Sequence, residues 1–135
     1  MHEDGRIVLT DFELAREVGR SNNCILTEED EEVDRTQTRS GTRGFMAPEI
    51  ETGGQTYFTS DMYSFGVVLY FMHFPLHLAT LTPGHVRFPA ADGTDVELCA
   101  LIKKLLVVDP LERPSAPDAV MSPYFRVTFV DRLVQ

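Results

Sequence analysis

The sequence predicts a mainly α-helical domain that begins with a short, hairpin-like pair of strands. Three observations predict it. The run from Asp61 to Met72 is apolar almost all round and is closed by Pro75, as expected of a helix buried at the centre of a domain. Leu98, Leu101, Ile102, Leu105 and Val108 recur at helical spacing, with Lys103 and Lys104 on the opposite face. Ile7-Val8-Leu9-Thr10 follows the turn signal Gly5 and is short, apolar and β-favouring.

Taken in order, the first strand is Ile7 to Thr10, and Leu14 to Val18 is the candidate second strand after Asp11-Phe12-Glu13. From Gly19 to Ser40 the chain is polar, a composition that buries little and suits a mobile loop. In the next stretch, Gly41 and Gly44 bracket Thr42-Arg43 and permit backbone turns that a Cβ forbids. Pro48 biases Ala47 away from the helical region. Thr52-Gly53-Gly54-Gln55 is a loop. Thr59 or Ser60 is placed to cap the central helix, with Asp61 in its first turn, and the helix runs to about Phe74. Gly66 costs that helix about 1 kcal/mol relative to alanine, which points to close packing against a neighbour.

Residues 75–93 are broken by Pro75, Pro83-Gly84, Pro89 and Asp92-Gly93 and read as irregular. Thr94 and Glu97 have capping-box spacing ahead of the Leu98 helix, which Asp109-Pro110 stops. Leu111-Glu112-Arg113-Pro114 is a turn. Ser115 caps a last short helix to about Met121, with Pro117 and Asp118 in its first turn.

Composition bounds the function. The chain has 135 residues, enough for one small domain. Its net charge of −9 argues against a nucleic-acid binder and against docking on an anionic membrane. Six of its acidic residues lie in the single run 28–34. Cys24 and Cys99 have no metal-ligand spacing; one disulfide is formally open to them, but two reduced thiols suit a cytosolic protein better. The polar start Met1-His2-Glu3-Asp4 is no signal peptide, and Phe65–Met72 is too short to span a bilayer, so a cytoplasmic location is expected.

Four pieces then line up. Asp11-Phe12-Glu13 follows a strand; Ala47-Pro48-Glu49 closes a polar loop; Asp61-Met62-Tyr63-Ser64-Phe65-Gly66 opens a buried helix; Asp109-Pro110-Leu111-Glu112-Arg113-Pro114 separates two helices. Their order resembles the C-terminal lobe of a eukaryotic protein kinase, from its magnesium-binding Asp-Phe-Gly motif to the domain end. The resemblance spans nearly all of residues 1–135 and makes 11–49 the activation segment.

The resemblance implies roles residue by residue. Asp11 matches the aspartate that binds the Mg²⁺ bridging ATP phosphates, and Phe12 the phenylalanine whose packing separates active from inactive arrangements. Thr38 sits where the family carries its activating phosphate, with Thr36 and Ser40 as neighbouring candidates; the plain alternative for all three hydroxyls is solubility. Gly41-Thr42 resembles the substrate-positioning loop of serine/threonine kinases, and Tyr63 to Leu69 looks like the tyrosine-kinase-like group. Asp61 matches the buried aspartate that receives backbone donors from the catalytic loop; the alternative is a simple first-turn charge. Glu49 and Arg113 match a buried structural ion pair.

The pattern also departs from the family. Glu13 stands in place of glycine; its carboxylate could add a metal ligand, repel phosphate, or turn to solvent. No stretch resembles the Gly-rich loop, the ATP-contacting lysine strand, the His-Arg-Asp motif or the asparagine that follows it. The expectation is therefore a partial domain, without the N-terminal lobe and catalytic base, that binds no MgATP alone. The apolar helix 60–74 is expected to leave part of its surface exposed. Three functions compete: a fragment of a Ser/Thr kinase acting on protein substrates, a catalytically dead binding or scaffold module, and a split enzyme completed by a partner chain.

Overall fold

Ala47 is buried and extended, with ψ 149°, as the residue before a proline must be, and the chain turns into α1 (Pro48–Glu51) immediately after it. The structure, a computed structural model, describes residues 8–13, 15, 41–75, 81–89 and 95–126. Beyond α1 these residues form α2 (Phe58–His73), α3 (Val96–Leu105), α4 (Ala116–Val120) and a further helical turn at 123–126.

The long helix is the centre of the packing. Its inner face, which includes Met62, Tyr63, Val67, Leu69 and Tyr70, is buried with Leu98, Leu101, Ile102, Leu105 and Leu106. Gly66 makes the approach possible: a Cβ placed on it would lie 2.7 Å from Leu105 Cβ and 3.0 Å from Leu106 Cδ2. The outer face is different. Phe65, Val68, Phe71 and Met72 are 36–64% exposed, so the apolar surface foreseen on this helix is partly uncovered.

Several boundaries differ from those read in the sequence. α2 starts at Phe58, behind Tyr57, and not at Ser60 or Asp61. Ser60 sits one turn in, and its hydroxyl accepts the Tyr57 N–H at 3.1 Å, satisfying an otherwise orphaned donor from inside the helix. α3 is capped by Asp95, whose carboxylate accepts the Glu97 and Leu98 N–H groups at 2.9 and 3.1 Å. The Thr94 of the expected capping box lies outside the described residues. α3 ends at Leu105, and Val108, beyond it, is exposed. Ser115 does cap α4, exchanging hydrogen bonds with Asp118.

The N-terminal strand is a correction. Val8 to Thr10 form no strand, and Leu9 is 83% exposed. A strand is held by ladder bonds and by a buried face. Among the described residues nothing pairs with this stretch or covers it, so propensity alone does not fix it. Its expected partner, 14–18, falls almost wholly outside the described residues, as do Thr36, Thr38, Ser40, Cys24 and the acidic run. The irregular reading of 81–89 agrees with the structure: a single bridge joins Thr82 and His85 across Pro83-Gly84. Val86 and Phe88 pack on the core, and Tyr70 donates to the Arg87 carbonyl at 2.8 Å.

Candidate functional site

Glu49, at the second position of α1, and Arg113, in the turn before α4, are 64 residues apart and meet in a two-pronged ion pair. Arg113 Nη1 donates to Glu49 Oε1 and Nη2 to Oε2, both at 2.7 Å. The guanidinium satisfies its remaining donors on main-chain carbonyls. Nε reaches Val107 at 2.7 Å, Nη2 reaches Val108 at 2.8 Å and Nη1 reaches Thr59 at 3.2 Å. All the N–H groups a guanidinium possesses are thus engaged, which is what a fully buried cation requires. The Arg113 side chain is 0% exposed. It also lies over the Tyr63 ring, 4.9 Å from the ring centre.

Two serines complete the arrangement. Ser60 donates to Glu49 Oε1 at 2.6 Å while accepting from Tyr57, so the head of α2 holds the same carboxylate. Ser64 donates to the Phe45 carbonyl at 2.8 Å, and Phe45 packs edge-on against Phe71. Thr59 ties α2 to the far turn by donating to the Pro110 carbonyl at 2.7 Å. Burial by itself would raise the Glu49 carboxyl, but the Arg113 and Ser60 hydrogen bonds outweigh it and hold the group below the usual glutamate value. Burial pushes the Tyr63 phenol up.

Thr42 is exposed in the loop just ahead of this hub. Its carbonyl accepts the Phe45 N–H at 3.0 Å, closing a turn over Arg43 and Gly44. Gly44 within the turn and Gly41 just ahead of it have φ 86° and 141°, so both glycines take positive φ as the sequence implies. Asp61 is exposed in the first turn of α2, and its carboxylate makes no hydrogen bond or ion pair among the described residues. Partial burial raises its carboxyl above the usual aspartate value.

Asp11 is far from such support. It and Phe12 are exposed, and Asp11 has φ 64°. Aspartate tolerates that left-handed conformation better than most residues. The Ala15 N–H closes a turn on the Phe12 carbonyl at 3.0 Å. Among the described residues no other non-glycine takes a positive φ, so Glu13 needs no glycine-like backbone and its side chain is accommodated at the surface.

Ser60, Ser64, Thr59 and the carbonyls of Val107 and Val108 escaped the sequence reading. The sequence marks Ser60 and Thr59 only as candidate helix caps. A signal was present for Ser60: a small hydroxyl one turn inside an apolar helix usually has a polar partner when buried.

The family comparison fits this arrangement. The model of the protein kinase domain matches residues 1–125. The chain belongs to the protein kinase domain family. Among similar proteins, CBL-interacting protein kinase 16 of Oryza sativa subsp. japonica is 30% identical, over 96% of this chain and 28% of its own length. Serine/threonine-protein kinase WNG1 of Toxoplasma gondii is 31% identical, over 96% of this chain and 16% of its own length. Serine/threonine-protein kinase PDK1 of Cryptococcus neoformans is 27% identical over 93% of this chain and 10% of its own. The chain thus spans less than a third of the length of these relatives.

Protein kinases use ATP with Mg²⁺ and act on protein substrates. Among the described residues, no three His, Cys, Asp or Glu side chains converge to hold a metal ion. Asp11 and Glu13 are exposed. No described helix is long and apolar enough to cross a membrane.

Proposed function

We propose that the chain is the C-terminal-lobe part of a protein serine/threonine kinase, with 11–49 as its activation segment. The parent enzyme transfers the γ-phosphoryl group of ATP to serine or threonine of a protein substrate. The observation that carries this reading is the Glu49–Arg113 hub. It anchors the Ala47-Pro48-Glu49 turn to the head of α2 and to the 107–113 turn, in a chain whose four motifs keep the kinase order. The anchored turn leaves Thr42 exposed, as a substrate-positioning residue must be.

In this reading Asp11 supplies one ligand to Mg²⁺, Thr38 or its neighbours Thr36 and Ser40 accept the activating phosphate, and Asp61 receives backbone donors from the catalytic loop. The Tyr63–Leu69 stretch supports placement in the tyrosine-kinase-like group, whose members mostly phosphorylate serine and threonine. The chain alone is inactive, because phosphoryl transfer depends on positioning by groups this sequence does not supply.

Two measurements test the proposal. Calorimetry of residues 1–135 with MgATP should show no binding, and micromolar affinity would overturn the expectation of inactivity. The longest natural reading frame containing the chain should phosphorylate serine or threonine peptides and lose that activity on Asp11→Asn. Transfer confined to tyrosine would refute the serine/threonine assignment, and no transfer from a folded product would leave a scaffold module.

A further inference from the structure

We draw no further inference here: the strongest candidate, the exposed Phe65, Val68, Phe71 and Met72 face of α2 with the Asp61 carboxyl at its head, is an apolar face, and nothing among the described residues shows what covers it.

Discussion

The two ends of the 11–49 segment carry motifs of equal standing in the sequence, yet they are built very differently. At the Glu49 end, a carboxylate is shared by Arg113 and Ser60, and the arginine is completed by three carbonyls and an aromatic ring. At the Asp11 end, the motif residues are exposed and one backbone turn is the local restraint the described residues show. The difference teaches that a motif's spacing names a family, whereas burial and hydrogen bonding decide which of its residues the chain itself holds in place. The anchored end can be weakened by single changes; the open end cannot.

Arg113 sets the upper limit. Arg113→Met strips the two guanidinium donors from the Glu49 carboxylate, leaving it the Ser60 hydroxyl, and takes the guanidinium from three carbonyls. Losing one partner of a buried pair costs about 3–5 kcal/mol, a large share of a small domain's stability. Urea denaturation should show the fall. Arg113→Lys should recover little, since an ammonium cannot reproduce the two-pronged bond. A lysine variant as stable as the parent would show that charge, rather than geometry, holds the hub.

Gly66→Ala comes next. Alanine favours the helix by about 1 kcal/mol, but its Cβ would meet Leu105 Cβ at 2.7 Å, close to the α3 backbone. Overpacking of this kind costs about 1–3 kcal/mol, so a net loss of melting temperature is expected. A gain would mean that α2 and α3 separate more easily than their packing suggests.

Ser60→Ala removes one bond to Glu49 and leaves the Tyr57 N–H unmet, a loss of about 1–2 kcal/mol by the same denaturation measurement. The Glu49 carboxyl lies below its ordinary value when folded, so it contributes stability above the usual glutamate value. That contribution is lost as pH falls through this value and on to the depressed one. Glu49→Gln should flatten that part of a stability-against-pH curve.

Asp61 has the opposite sign. Its folded carboxyl is raised, so the charged form opposes folding at neutral pH and acid relieves it. Asp61→Asn should leave the melting temperature unchanged or slightly higher. Asp11→Asn should leave it unchanged, because the residue is exposed. A marked loss from Asp11→Asn would erase the contrast between the anchored and open ends.

Much of this was legible in the sequence because it is local. The apolar run and Pro75 marked α2; the Leu98, Leu101, Ile102 and Leu105 stripe marked α3; Ser115 marked α4. The Glu49–Arg113 pairing came only through resemblance, since nothing in either residue's neighbourhood announces a partner 64 positions away. What escaped was set by tertiary contacts. Ser60 looked like a cap because serine at a helix start usually is one, but its hydroxyl also had a buried carboxylate to meet. Asp95 sits directly before α3 with its carboxylate on two N–H groups, while the expected cap Thr94 lies outside the described residues. Val8 to Thr10 had strand propensity and no described partner, and propensity without pairing is not structure.

The most direct test of the anchored end is a double-mutant cycle. Glu49→Gln, Arg113→Met and the two together would be compared by urea denaturation at neutral pH. If the pair is the anchor, the double variant should lose clearly less than the sum of the singles, with a coupling of about 1–3 kcal/mol, because the second change removes a group the first has already stranded. Additive losses would contradict the account, showing that each residue stabilises the fold through its other contacts and that the bond between them contributes nothing of its own.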